Sequence, residues 1–532
     1  MKKSLLLCIA QLFAGLIYPP DGNQINYINV LFEWEIVENA TEYEFELSRS
    51  NDFSSRLIST EVTDVQYLVT DQLGWETTYY WRVKTLGDNW IGTYSFTTSS
   101  TRSNVSITWH GDESLYAEGN TIFGSADGYY SAIIDKDGTE IWNSGDDNII
   151  YYNFLDDEQF FGARYDATLD NPYPGIEFSL TDGIVWEEPN TDYVHHEFIE
   201  LPWGDYMGIA HIVQLRPIYA TATFQPYYQG AGYMADGITD EFPWWGDRLV
   251  IWDKDTKDEL WSWSTFDHFD ISDYDDNTWN SSTPLEEGYF DWTHVNAFYF
   301  DNRDSSILIS TRNLSRITKL QYPSGEIIWN MGRESASNDV TFGHNLGFSY
   351  QHSISLTDTD NILILDNGCY AEEYWNAEAP TTRALEIAVS GSEGDYSASL
   401  TFEYILPPNL YGLTAGNAQQ LENGNYLITT MGNNGTTLEV TSTGDLIWEA
   451  NYASALMWRA NRIPSQCNDL GDLNEDGAYN VLDVVILVNC VLAENCDDSV
   501  NGCASDMNVD GAYNVLDVVI LVNCVLAENC GN

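Results

Sequence analysis

Eight histidines occur in the 532-residue chain, and all of them lie between positions 110 and 352. Four stand at one place in a recurring pattern: His195 and His196 open one unit, His294 opens the next and His352 the one after. The strand-like run after each opening ends in His211, in Arg312 and in the pair Asp366-Asn367, respectively. Neutral imidazole is a nucleophile, a general base and a metal ligand. A guanidinium is a two-pronged donor for sulfate, phosphate or carboxylate oxygens. With only 21 Lys and Arg against 82 Asp and Glu, an arginine that ends the run Ile307 to Thr311 stands out from its surroundings. Asn296, two residues past His294, adds an amide donor. The expected chemistry is capture of an anion such as sulfate or phosphate. Chelation of Zn, Cu or Ni by the imidazoles competes with it. No carboxylate recurs at the same position in the pattern, which weighs against chelation.

A second set of chemistry-bearing residues lies in the tail. The word GAYNVLDVVILVNCVLAENC runs from Gly477 to Cys496 and again from Gly511 to Cys530. Each copy completes an acidic loop. Counted from Asp472, oxygen-bearing side chains fall at loop positions 1, 3, 5, 9 and 12 (Asp472, Asn474, Asp476, Asn480, Asp483), with Gly477 at position 6. The second copy supplies Asp506, Asn508, Asp510, Asn514 and Asp517. Ca²⁺ takes six to eight oxygen ligands, and the glycine permits the sharp turn between them. Two structural calcium sites are expected, each followed by an apolar helix, Val481–Ala493 and Val515–Ala527.

The elements that position the histidines read as mainly β. A strand, a polar turn and a second strand recur six times, usually with Trp in the second strand: Trp142, Trp186, Trp261, Trp329, Phe402 and Trp448 hold that place. Four of the six carry a recognisable opening strand pair, and a long insertion, Gln214–Gly246, interrupts the third. Six four-stranded units predict a six-bladed β-propeller over residues 106–464. The first strand of each blade lines the central channel, so histidines in the same register of successive blades would meet at one mouth of it. Residues 16–98 form a set of short alternating strands of β-sandwich size, joined to the propeller by a polar linker, Ser99 to Asn104. Residues 467–532 form a small helical calcium-loop module.

Charge and cysteines bound the setting. A net charge of −61 excludes nucleic acid as a partner. Lys2 and Lys3 precede an apolar run from Leu5 to Ile17, so residues 1–15 read as a signal peptide with no clear cleavage site. No other run is long enough to span a membrane. Six of the eight cysteines, Cys467, Cys490, Cys496, Cys503, Cys524 and Cys530, crowd into the tail, while Cys369 is alone in the middle. This distribution predicts disulfides in the tail, with 15 pairings open, and a secreted, periplasmic or cell-surface location.

The words Asp291-Trp292-Thr293-His294-Val295-Asn296, Ser310-Thr311-Arg312, Gln351-His352 and His195-His196-Glu197 resemble the bacterial arylsulfate sulfotransferases. That resemblance implies a six-bladed propeller that moves a sulfuryl group from a phenolic sulfate ester to a phenol, with no catalytic cofactor, through a transiently sulfated histidine. It implies His352 as nucleophile. His294 and one of His195 and His196 would hold sulfuryl oxygens or shuttle protons, and Arg312 and Asn296 would stabilise the oxygens. The alternative is a non-catalytic propeller that captures an anionic glycan or ligand on the same ring. A quinone- or metal-dependent oxidoreductase, suggested by the many Trp, is the weakest reading, because those Trp recur at a packing position. Residues 16–98 resemble a fibronectin type III domain. The tail resembles a dockerin, which implies a cohesin-like partner met by Val481, Leu482, Val515 and Leu516 at loop positions 10 and 11.

Overall fold

A computed structural model describes residues 15–37, 40–63, 65–70, 72–155, 159–169, 171–189 and 192–463, together with 470–471, 473, 479–493, 496, 502–505, 507 and 513–527 of the tail. The chain divides into two compact units, Met1–Ile463 and Pro464–Asn532. Among the described residues no helix is long and apolar enough to cross a membrane. The expected leader over residues 1–15 falls outside the described residues except for Gly15.

The first unit opens with two sheets. One holds Leu16–Tyr18, Val30–Trp34 and Gln66–Val69. The other orders Asn23–Ile25, Tyr94–Thr98, Thr78–Thr85, Tyr43–Ser48 and Arg56–Val62. Alternation in Thr78–Thr85 buries Tyr79, Trp81 and Val83 on one face, where Trp81 meets Phe32 edge to face at 5.1 Å. The apolar core of this sandwich continues without a break into Trp142, Tyr151 and Phe160 of the next sheets. The connecting segment is pinned and is not a free linker. The amides of Arg102 and Ser103 donate to the Glu140 carboxylate at 3.0 and 2.7 Å, and the Trp75 indole donates to the Glu140 carbonyl at 2.8 Å.

Six further sheets of four or five strands form the blades. Their first strands are Met457–Ile463, Ile149–Phe154, Val194–Glu200, Val295–Asp301, His352–Leu356 and Asn417–Gln420. Each packs against the next, and the last returns to the first, so the six close a ring. Closure is double. The last strand of the unit, Met457–Ile463, pairs with Asn120–Ser125 as the first strand of blade 1. Near the other end of the propeller sequence, Ser106–Trp109 pairs with Leu446–Asn451 as a fifth strand of blade 6.

The recurring tryptophans now have a physical role. The indole N–H of Trp142 donates to the Leu180 carbonyl, Trp186 to Lys254, Trp261 to Pro323 and Trp448 to Lys136, at 2.7 to 2.9 Å. Each acceptor lies in the turn before the last strand of the neighbouring blade. One residue type at one repeat position therefore staples four of the six junctions, including blade 6 back to blade 1. The insertion in blade 3 extends a hairpin, Tyr206–Arg216 with Phe242–Trp252. Its outer end packs Trp244, Trp279, Phe290 and Trp292 into one aromatic cluster.

In the second unit, helices Val481–Ala493 and Val515–Ala527 bury Leu487 and Leu521 between them. The two loops are built alike. The buried Asp483 carboxylate accepts the backbone N–H of Leu473 at 3.0 Å and of Asn480 at 2.8 Å. Buried Asp517 accepts those of Met507 and Asn514 at the same distances. Asn480 and Asn514 cap the helices through Leu482 N and Leu516 N. Asp472, Asn474, Asp476, Asp506, Asn508 and Asp510 lie outside the described residues. Cys490 is bonded to Cys496, and Cys524 is also in a disulfide.

Candidate active site

The first strands of blades 3, 4 and 5 share one local device. Their register slips between His195 and Phe198, between Val295 and Ala297, and between His352 and Ser355. The backbone is left-handed at His196 (φ 63°), His294 (φ 51°) and Ser353 (φ 56°). A bulge re-aims a side chain at the rim of a sheet, and a left-handed residue other than glycine costs about 1–3 kcal/mol that the surrounding packing must offset.

These bulges bring three imidazoles together. The His196 ring lies 4.9 Å from that of His294 and 6.3 Å from that of His352, centre to centre. One ring nitrogen of each lies within 4.8 Å of those of the other two. His195 turns away, stacks on His211 at 3.8 Å and places Nε2 3.1 Å from the Asp247 carboxylate. Of the adjacent pair, His196 is the one in the cluster.

Hydrogen bonds fix the ring tautomers. Asn367 donates its amide to the carbonyls of Gly412 (2.8 Å) and Ala415 (3.1 Å), so its Oδ1 is the atom facing His352 Nδ1 at 2.7 Å. An amide oxygen only accepts; His352 Nδ1 therefore carries the hydrogen and Nε2 carries the lone pair. His352 Nε2 faces Thr414 Oγ1 at 3.3 Å. His294 Nδ1 bonds the Asp291 carboxylate, which leaves its Nε2 toward the cluster. His195 Nδ1 meets His196 Nδ1 at 2.7 Å. One of the two Nδ1 atoms donates to the other, and His195 Nε2, though 3.1 Å from Asp247 Oδ1, has no hydrogen-bond partner among the described residues.

Burial disfavours the charged form of His195, His196 and His352. It pushes His196 and His352 well below the ordinary imidazole range. The charge of His294 adds to this at His196, and that of Arg312 at His352. Burial, aided by His211 and opposed by Asp247, pushes His195 down to about 4. Burial acts to raise Asp247 and Asp291, but their histidine partners hold both carboxyls below the ordinary value.

A pH dependence follows. Below an ordinary imidazole value of about 6.5 the unfolded chain takes up protons that folded His196 and His352 do not, so stability rises with pH and is lost as pH falls. Each histidine contributes up to about 1.4 kcal/mol per pH unit there. The net charge of −61 acts in the opposite sense, since acid relieves repulsion, so the variant isolates the effect. The fall in thermal midpoint from pH 7 to 5 is expected to be shallower in His352→Gln than in the native chain. Parallel curves would contradict it.

Arg312 sits beside the cluster. Its guanidinium carbon lies 4.2 Å over the Tyr350 ring, Nη1 donates to Asn313 Oδ1 at 2.7 Å, and its buried Nε–H has no partner among the described residues. Asn313 is held in turn by the Asp291 carbonyl at 2.7 Å. Asn296 also lies at the first strand of blade 4. It is fully buried, and its amide donates to the Gln351 carbonyl at 2.7 Å, behind the cluster.

Sequence reasoning missed several groups. Asp247 and Asp291 stand against the imidazoles, although no carboxylate recurs in the blade pattern: Asp247 comes from a third strand and Asp291 from before the first strand of blade 4. Arg459, from the last strand, donates to Glu197 at 2.6 Å and to the carbonyls of Tyr152 and Asn296 at 3.2 and 3.1 Å. It thereby joins blades 1, 2, 3 and 4 through one buried guanidinium. Trp458 packs its ring 4.9 Å from His196. Two groups have the ligand types of a metal site: His196 with His294 and His352, and His195 with His211 and Asp247. In the second group the imidazoles are stacked, 22° apart in plane, so their in-plane lone pairs do not converge on one ion.

Residues 232–463 match the family model of the arylsulfotransferases (ASST). Residues 470–526 match the family model of the dockerin type I domain. The arylsulfotransferase match takes in His294, Arg312, Asn367 and His352, whereas His195 and His196 precede it. No curated protein matches the chain. Solved structures resemble it distantly. A protein of unknown function from Bacteroides caccae is 9% identical, covering 65% of this chain and 100% of its own, with a TM-score of 0.37. An auxiliary nutrient binding protein from Bacteroides ovatus is 8% identical over 83% of this chain and 89% of its own, with a TM-score of 0.32. A quinonprotein alcohol dehydrogenase-like protein from Bacteroides thetaiotaomicron is 8% identical over 85% and 99%, also at 0.32. At such scores none of them bears on function. Residues 232–463 hold one free cysteine among the described residues, Cys369, whose thiol burial pushes up.

Proposed function

We propose that the chain transfers a sulfuryl group from an aryl sulfate ester to a phenolic acceptor, with His352 as the group carrier. The observation that carries this reading is the Asn367-held tautomer, which presents a neutral Nε2 lone pair to the cluster. Nε2 attacks sulfur, the N–S bond forms and the S–O bond to the aryl group breaks. The electron pair leaves on the phenolate, which takes a proton from His294 Nε2 when that ring carries both protons. Asp291 at Nδ1 supports this charge, in the manner of a carboxylate behind a catalytic histidine. The sulfated imidazole keeps Nδ1–H on Asn367. In the return step His294 takes the proton of an acceptor phenol, whose oxygen attacks sulfur and releases His352. Arg312 offers Nε–H to the sulfuryl oxygens as charge builds on them. His196 adjoins both rings and completes the wall of the site.

Two half-reactions at one nitrogen predict ping-pong kinetics. Mixed with an aryl sulfate and no acceptor, the protein should release phenolate in a burst and gain the mass of one sulfuryl group. Adding a phenol should discharge it. Binding of the ester with neither burst nor mass gain would favour capture of an anionic ligand without turnover.

The tail is proposed to fold on two calcium ions and to dock a cohesin-like protein, which fits a secreted or cell-surface role. Asp483 and Asp517 are fully buried carboxylates in all-oxygen loops, the donor chemistry of a hard cation. Val481, Leu482, Val515 and Leu516 are exposed, between 49 and 70% of their surface, so the partner would meet apolar side chains at both loops. A module this small has little core of its own. A 464–532 fragment should lose most of its helical circular dichroism in excess chelator and regain it with Ca²⁺. An unchanged spectrum with disulfides reduced would sink the calcium reading.

A further inference from the structure

Three imidazoles face one another in the channel, and each has its Nδ1 engaged on the outer side: His196 by His195 Nδ1, His294 by Asp291, and His352 by Asn367 at 2.7 Å. Single protonation at Nδ1 leaves the Nε2 lone pairs of His294 and His352 turned inward, the latter 3.3 Å from the Thr414 hydroxyl, and His196 adds a third when it donates through Nδ1 to His195. Facing lone pairs repel unless an electrophile joins them. A sulfur atom is one such electrophile, and a metal ion is another.

We infer that the same three nitrogens capture a divalent transition metal, Zn²⁺ above all, and that the captured ion shuts off group transfer by taking the His352 lone pair. Imidazole suits Zn, Cu and Ni. A three-histidine set with an open fourth position is a known form of zinc site. Each imidazole already has an outer hydrogen-bond partner at Nδ1, as ligating histidines do, here an imidazole, a carboxylate and an amide oxygen. The charges nearest the cluster permit a cation: Asp247, Asp291 and Glu197 are acidic, and Arg312 and Arg459 are basic. A tetrahedral zinc with ligand bonds near 2.0 Å holds its nitrogens roughly 3.3 Å apart. The three stand within 4.8 Å of one another, so capture draws the rings together by at most about 1.5 Å.

This inference uses the proposed transfer reaction only for its inhibition arm, and the binding arm stands apart from it. Full-length protein, held in excess Ca²⁺ to fill the tail, is titrated with Co²⁺ while visible absorption is recorded. One equivalent should produce the intense bands of a four-coordinate nitrogen-ligated ion, and one equivalent of Zn²⁺ should displace them. His294→Ala and, separately, His196→Asn should abolish the bands. Asn367→Ala, which removes only an outer partner, should weaken binding by about tenfold to a hundredfold. Thermal midpoints show whether each variant is folded. No bands in the native chain, or bands that persist in folded His294→Ala and His196→Asn, would overturn the site. Where transfer is measurable, Zn²⁺ should inhibit competitively with the aryl sulfate, and a zinc-selective chelator should restore the rate. Full turnover by zinc-saturated protein would overturn the blockade. A native chain that binds Co²⁺ with these bands but transfers no sulfuryl group would support the metal site and count against the transferase reading alone.

Discussion

Replacing His352 by alanine is expected to lower transfer by a factor on the order of 10⁴ to 10⁶, as loss of a covalent nucleophile does elsewhere. The substitution removes the only imidazole whose tautomer is fixed by a doubly anchored amide, and with it the atom that would form the N–S bond. Its effect on stability should be small beside this. His352 is buried, so its removal leaves Asn367 Oδ1 without a partner, at about 1–3 kcal/mol. Asn367 itself stays tied to Gly412 and Ala415. The expected result is a folded protein with a modestly lower thermal midpoint, no burst of phenolate and no gain in mass. Near-normal turnover would move the nucleophile to His294 or His196. Added imidazole gives a further test, because a free ring in the vacated space would restore some phenolate release without labelling the protein.

Much of this arrangement was legible in the sequence because it repeats. Six strand-turn-strand words give six blades, and the Trp at their ends give the staples between blades. The tail loops were legible because ligand type and spacing are local. Histidines in corresponding registers were expected to converge, and the structure places His196, His294 and His352 at one mouth of the ring. What could not be read depends on backbone detail. The bulges at His196, His294 and Ser353 decide which way each ring points, and no residue type at those positions announces a left-handed backbone. The sequence therefore could not choose between His195 and His196. It also could not show that Asn296 is fully buried with one amide hydrogen on the Gln351 carbonyl, since that partner lies on another blade. Asp247 and Asp291 were missed because they reach the cluster from places outside the repeat register. Asn367 was visible as the end of a strand, but its role as acceptor for His352 follows only from two carbonyls nearly fifty residues further along the chain.

Exchange of Arg312 for lysine keeps the charge and should still lower transfer by about a hundredfold, or about 3 kcal/mol of transition-state stabilisation. Arg312 does three things at once: Nη1 bonds Asn313, the guanidinium plane lies over Tyr350, and Nε–H is left for a ligand. The first two hold the plane still, so that the third is already aimed when charge develops on sulfuryl oxygens. A lysine ammonium is a compact point charge on a flexible stem and cannot keep the stack, the Asn313 bond and a second directed donor together. The loss should appear in the rate more than in substrate binding, because long-range attraction for the anionic ester survives with the charge. A packing role forecasts otherwise. An arginine that only covers Tyr350 would tolerate lysine with a change of about 0.5 kcal/mol in stability and no change in rate. Thermal midpoint and single-turnover phenolate release, measured on the same variant, separate the two. Unchanged release would remove Arg312 from the transfer site and leave the histidine cluster to neutralise the sulfuryl oxygens without a fixed guanidinium.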